Sequence, residues 1–317
     1  LGDVYKRQHL GLLSSLQPGP AGDTWMLDAK PEAGAFRRCA NLDTPAACNW
    51  LLPAHLTDSL CVACKLNRTI PDLSIAENPE RWRKVEIAKR RLVAQLLDLG
   101  LQVIPKGEDE QAGLAFDFIG VDLEGRAPVT GHANGLITLD IKEADDAHRE
   151  KIRAQMHEPY RTLLGHFRHE VGHYYWDRLI ANSPWLEAFR SLFGDERYSY
   201  AQALERHYQR GAPAGWQQSH VSAYATMHPW EDWAETWAHY LHMVDAVDTA
   251  LGFGMSARDV DLDYQPFPLS SLYDPQHPGG RRSWLSSTPG SNWRACSTNC
   301  PAAWANRIST PSSCRPR

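Results

Sequence analysis

His169-Glu170-Val171-Gly172-His173 places two histidines four residues apart, with a glutamate directly after the first. On a helix, His169 and His173 share one face and Glu170 sits beside them. Two neutral imidazoles can hold Zn²⁺ while the carboxylate takes a proton from water activated by the metal, provided a third protein ligand arrives from elsewhere. A second stretch, His228-Pro229-Trp230-Glu231-Asp232-Trp233-Ala234-Glu235, offers candidates. Pro229 opens a helix, and the i, i+4 spacing puts Glu231 and Glu235 on one face. A carboxylate in the first turn of a helix is favoured by the helix dipole without any metal, so ordinary capping is the other reading of either residue. Two carboxylates on one face, next to a histidine-rich helix, ask for a metal.

Four thiols form the other chemically active set. Cys61 and Cys64 have knuckle spacing, and Cys39 with Cys48 would complete a tetrahedral four-thiolate zinc site. Free buried thiols or a reducible disulfide are the competing readings. The remaining histidines of these stretches, His166, His239 and His242, read as packing or surface contacts. The aromatic run Tyr174, Tyr175, Trp176 and the repeated Trp230, Trp233, Trp237 read as core.

The elements that must position these residues are punctuated in the sequence. Residues 9–74 are broken by six prolines and read as loop-like, with too little apolar content for a core of their own, so that a structural zinc would supply the missing stability. Asn78 caps a helix with Pro79 at its first position. Trp82, Val85, Leu92, Leu96 and Leu99 form its apolar stripe, Gly100 ends it, and Lys84, Lys89, Arg90 and Arg91 are assigned to a solvated face. Residues 114–121 and 135–141 alternate or run apolar over strand length and form a small sheet. In zinc peptidases an edge strand at this place aligns the substrate by β-augmentation. Asp145 to His157 reads as helical, Pro159 starts the helix that carries the motif to about Ala181, and residues 185–210 are helical and aromatic.

Both ends differ from the body. Residues 1–8 (LGDVYKRQ) resemble translated adaptor sequence and are set aside. From Ser283 the composition turns abruptly to Ser, Thr, Pro, Asn and Cys without helical or strand period. Codons for this tail can be chosen so that a neighbouring frame carries helix-spaced apolar residues and a Gly-then-Pro stop. Residues 283–317 are therefore expected to be an out-of-frame tail, with a natural disordered tail as the alternative. The tail holds four arginines, no acid and three of the seven cysteines, leaving a body of 29 basic against 38 acidic residues. That acidic balance argues against a nucleic-acid-binding surface. No apolar run approaches the roughly 18 residues of a membrane span. A cytoplasmic protein is the expectation; the N-terminus reads as incomplete, so a lost signal is compatible with it.

His169 to Trp176, together with His228 to Tyr240, resembles the “putative zinc-binding metallopeptidase” family of bacteria, which carries an N-terminal zinc-ribbon region. The runs Cys61 to Ser74 and Glu86 to Leu92 also match it, and the resemblance covers roughly residues 36–282. The second stretch is similar to the E-F-F-A-E motif of gluzincin peptidases related to anthrax lethal factor. That resemblance implies Glu231 as the third zinc ligand, Glu235 as the partner that orients a ligating histidine, and Tyr224, seven residues before Glu231, as oxyanion donor, with Glu170 as general base. The family's earlier cysteine pair has no counterpart here, so the ribbon module is expected to be truncated. The implied fold is α+β: a small Cys-rich zinc-ribbon-like module over 9–74, then a zincin-like metallopeptidase domain over 75–282 with a small sheet, an active-site helix and a mainly helical C-terminal part. The implied function is a zinc-dependent hydrolase of peptides or proteins, with one catalytic and one structural zinc. The alternative is a zinc-stabilised binding or scaffold protein with an inactive site. Glu170 discriminates the two, because a purely structural site needs no base.

Overall fold

The computed structural model describes residues 5–7, 13–120, 128, 130–150 and 162–255. The tail expected to be out of frame, Pro159, and the second half of the Asp145–His157 helix lie outside them; residues 146–150 are helical. The chain divides into two compact units, residues 1–167 and 168–317.

The first unit opens with short strands where the sequence suggests loop. Among the described residues, β1 (Tyr5–Arg7), β2 (Leu13–Ser14), β3 (Leu16–Pro18), β4 (Trp25–Leu27), β5 (Phe36–Arg38) and β6 (Trp50–Pro53) form a sheet of order β2-β1-β6-β5-β4-β3. Strand β1, in the adaptor-like stretch, pairs parallel with β6 (Lys6 opposite Trp50), and the other pairs are antiparallel. Leu27, Phe36 and Leu51 are fully buried, with Leu16, Ala33 and Leu42 packed on them, so this region has a small core after all. Strands of two to four residues are too short to display alternation. The prolines mark their ends, Pro18 closing β3 and Pro53 closing β6.

A second sheet follows the one-turn helix α1 (Val62–Lys65), in the order β7 (Asn67–Thr69), β8 (Ala115–Ile119), β10 (Leu136–Asp140), β9 (Gly131–Ala133). Strands β8 and β10 pair in parallel over five residues, and β9 is an antiparallel edge. The turn from β9 to β10 is Asn134-Gly135, both with positive φ (50° and 76°), the Asn-Gly pattern of a type I′ hairpin. Phe116, Phe118 and Phe167 pack as an aromatic cluster with centroids 5.5–6.1 Å apart.

Helix α2 spans Asn78–Asp98, with Glu77 rather than Asn78 at the N-cap position. Asn78 is buried, and its amide donates to the Asp72 carbonyl at 2.9 Å. The assignment of the basic residues of α2 to a solvated face holds only in part. Lys84 and Arg91 are exposed, but Lys89 is fully buried and Arg90 is 6% exposed. Lys89 Nζ donates to Glu86 Oε1 at 2.7 Å and to Asn67 Oδ1, and Arg90 lies 3.6 Å from Glu86 Oε2. Glu86, one turn ahead, offsets the charge of Lys89 by direct pairing and lies within ionic reach of Arg90.

The second unit is helical in its described residues. The motif helix α3 runs Leu163–Leu179, followed by α4 (Leu186–Phe193), α5 (Tyr200–Arg210) and α6 (Pro229–Gly252). The aromatic residues form its core as the sequence suggests: Tyr175 stacks on Trp237 at 5.2 Å, Trp176 meets Trp230 at 5.4 Å, and Phe189 and Phe193 flank Trp233. Helices α3 and α6 approach closely at Gly172, where an added Cβ would sit 3.1 Å from the Ala234 Cα. There the Trp233 indole donates to the Gly172 carbonyl at 2.9 Å.

Candidate functional site

In the first unit the sulfurs of Cys39, Cys48, Cys61 and Cys64 lie within 4.8 Å of one another, all buried and none in a disulfide. Cys48 and Cys61 are 3.7 Å apart, while the edge of a tetrahedron with Zn–S bonds of about 2.3 Å is about 3.8 Å. The Cys61 amide donates to the Cys39 sulfur at 3.4 Å, a charge-stabilising contact for a thiolate. Four buried sulfurs without a cation share protons unequally. Hydrogen bonds from the other three draw the Cys39 thiol down, and burial pushes Cys61 up. Cys39 pushes Cys64 up, but hydrogen bonds from Cys48 and Cys61 and the charge of Lys89 bring it down to about 7. The donor set fits zinc.

In the second unit the approach of α3 and α6 builds a different cluster. His228 caps α6: its Nδ1 accepts from the Trp230 amide at 3.2 Å, and its Nε2–H donates to the Tyr198 carbonyl at 3.0 Å. Pro229 takes the first turn, and Glu231, 2% exposed, points back toward α3. His169 Nε2 is 3.0 Å from Glu231 Oε2 and 3.2 Å from His173 Nε2, and His173 Nε2 is 3.5 Å from Glu231 Oε1. Ligand bonds of about 2.0–2.1 Å to one tetrahedral ion imply edges of about 3.4 Å. Glu231 Oε2 is buried without a hydrogen-bond partner, an acceptor that a cation would satisfy. The donor set His, His, carboxylate therefore fits zinc as well.

The surrounding groups fix this geometry. His169 Nδ1 lies 2.6 Å from Glu235 Oε1, so that Nδ1–H donates, and a neutral His169 then offers the lone pair of Nε2 to the cluster. Burial disfavours charge on Glu231, but the field of His173 and the close contacts with His169 and His173 hold its carboxyl well below the usual range. Burial acts the same way on Glu235, and the bond to His169 again prevails. Burial disfavours charge on His169, yet its contacts with Glu231 and then Glu235 raise its pKa well above the ordinary value. Glu170 is 6% exposed on α3. The Tyr224 ring lies 6.1 Å from that of His169 and 5.7 Å from that of His207, and burial followed by the charge of Glu231 keeps its hydroxyl protonated.

The structure thus brings together His169, His173, Glu231, Glu235 and Tyr224, and separately the four cysteines. His166, one turn earlier on α3, instead meets Glu143 through Nδ1 at 2.6 Å, within the first unit. His239 donates from Nδ1 to the Glu235 carbonyl at 2.8 Å. Two contacts escape the sequence reading: Tyr200, whose hydroxyl donates to Glu231 Oε1 at 3.0 Å, and Ser222, which hydrogen-bonds Glu235. Neither has a spacing that ties it to the motif.

Comparison with known proteins gives two family-model matches: “Putative zinc-binding metallo-peptidase” over residues 78–282 and a zinc-ribbon domain over residues 5–75. Among curated proteins the chain is similar to uncharacterized proteins of Mycobacterium bovis and of two strains of Mycobacterium tuberculosis. Each is 50% identical over 226 residues, which is 71% of this chain and 65% of the relative. The chain thus spans about two thirds of the length of these relatives. No solved structure matches it.

Proposed function

This chain belongs to the “Putative zinc-binding metallo-peptidase” family, and on that premise we propose that it hydrolyses peptide bonds in peptide or protein substrates at the His169–His173–Glu231 cluster. The observation that carries this reading is the convergence of His169 Nε2, His173 Nε2 and the buried Glu231 carboxylate at 3.0–3.5 Å, with Glu231 Oε2 lacking a hydrogen-bond partner. His169, His173 and Glu231 would hold a catalytic zinc; Cys39, Cys48, Cys61 and Cys64 would hold a structural one. Bound in the first site, zinc supplies a Lewis acid that acidifies water and polarises a carbonyl.

The residues do the rest. Glu170 accepts the proton of the attacking water and passes it to the leaving amine. Tyr224, kept protonated by burial and by Glu231, donates to the oxyanion, a task worth on the order of 3 kcal/mol in other hydrolases. Glu235 holds His169 in the tautomer that presents Nε2. The ranges of the two family models support a ribbon-like module over 9–74 and a peptidase domain over 75–282. Among the described residues no helix is long and apolar enough to cross a membrane. A site made of four thiolates suits a reducing compartment, which supports a cytoplasmic location.

The test is Glu170→Gln. It is expected to keep the zinc content and thermal unfolding of the parent while kcat on a peptide library falls about 10²- to 10⁴-fold. Hydrolysis at the parent rate would remove Glu170 as base and favour a binding or scaffold protein with an inactive site.

A further inference from the structure

Glu231 has two carboxylate oxygens in different situations. Oε1 accepts a hydrogen bond from the Tyr200 hydroxyl at 3.0 Å and lies 3.5 Å from His173 Nε2. Oε2 has no hydrogen-bond partner and lies 3.0 Å from His169 Nε2. Tyr200 is the first residue of α5, behind its N-cap Ser199, and its ring packs on the start of α6, 5.4 Å from His228 and 6.5 Å from Trp230. The ring is thus fixed against the same turn that presents Glu231. The hydroxyl of Tyr200 also interacts with that of Tyr224.

We propose that Tyr200 is a positioning residue: by holding Oε1 it leaves Oε2 as the atom Glu231 offers to zinc, so that the carboxylate binds through one oxygen. The inference rests on the reading of Glu231 as third ligand. Its physical basis is competition for lone pairs. A carboxylate with both oxygens unengaged can close on a metal through both, which fills the position that a hydrolytic zinc keeps for water and substrate. A neutral hydroxyl donor on one oxygen lowers that oxygen's basicity and pins the carboxylate plane.

The experiment compares the full-length parent, Tyr200→Phe and Glu231→Ala. It reads zinc stoichiometry, zinc affinity by chelator competition, the visible spectrum of the cobalt(II)-substituted protein, and kcat and KM on a peptide. In Tyr200→Phe the weaker-held zinc is expected to lose affinity about 10- to 100-fold. The cobalt bands should also weaken toward those of a higher coordination number, with kcat falling and KM little changed. Parent-like zinc affinity together with a parent-like cobalt spectrum in Tyr200→Phe would overturn the inference. Tyr200→Leu removes the same hydroxyl and serves should the phenylalanine variant not fold. Glu231→Ala separates the two levels. If it binds as much zinc as the parent, the third-ligand reading itself fails; if it loses one zinc while Tyr200→Phe matches the parent, only the role of Tyr200 fails.

Discussion

Lys89 shows what a single residue can hide. In the sequence it is one of four basic residues on a helix, and such residues are mostly solvated. In the structure its ammonium is enclosed by Glu86, Asn67 and the rings of Phe116 and Phe118, with centroids 5.9 and 5.5 Å away, and its charge reaches Cys64. A buried pair contributes little over an apolar substitute, but breaking one strands the other charge. Lys89→Met is therefore expected to destabilise the fold by about 3 kcal/mol, and the Glu86→Leu/Lys89→Met/Arg90→Leu triple variant, which strands no charge of the cluster, by less than the sum of its single substitutions, in urea unfolding. A triple variant that costs the full sum of its single substitutions would show that the three residues act independently. At the same scale part of the candidate site was legible as spacing, His169 and His173 at i and i+4 and Glu231 and Glu235 likewise, while Tyr224 was implied only by the resemblance to gluzincin peptidases. Tyr200 was not, because a contact between helices 31 residues apart leaves no local period.

Elements were legible in proportion to their punctuation. Pro79, Pro229 and the histidine spacing located α2, α6 and α3, and the apolar runs located β8 and β10. The ribbon strands were not legible, since each is shorter than one period of reliable alternation. The edge strand β9 was missed for the same reason, although its Asn134-Gly135 turn is written in the sequence. Gly135 sits at φ 76°, and an added Cβ would lie 2.2 Å from the Gly113 carbonyl oxygen, a backbone atom that cannot rotate aside. Gly135→Ala is expected to cost about 2 kcal/mol or more, measured by chemical denaturation. A change within about 0.5 kcal/mol, the range of ordinary surface substitutions, would mean the turn rearranges freely.

At the scale of the molecule, the two candidate metal sites lie in two separate units: the cysteine cluster in residues 1–167 and the His-His-Glu cluster in residues 168–317. Their loss should be separable. Cys64→Ser is expected to lower bound zinc by one ion per chain and to destabilise the ribbon region, while leaving the cobalt spectrum of the His-His-Glu site unchanged. Metal analysis together with that spectrum checks both halves, and unaltered zinc content would exclude the thiolate site.

The contact of His173 with Glu231 has a topological consequence. Between them the chain makes an excursion through α4 and α5, and an ion shared by the two residues ties off that excursion as a covalent staple would. Closing a loop of about sixty residues removes on the order of 4 kcal/mol of denatured-state entropy in the chain model. An ion held at the proposed site would then also act as the knot that keeps α3 and α6 at the distance Gly172 permits.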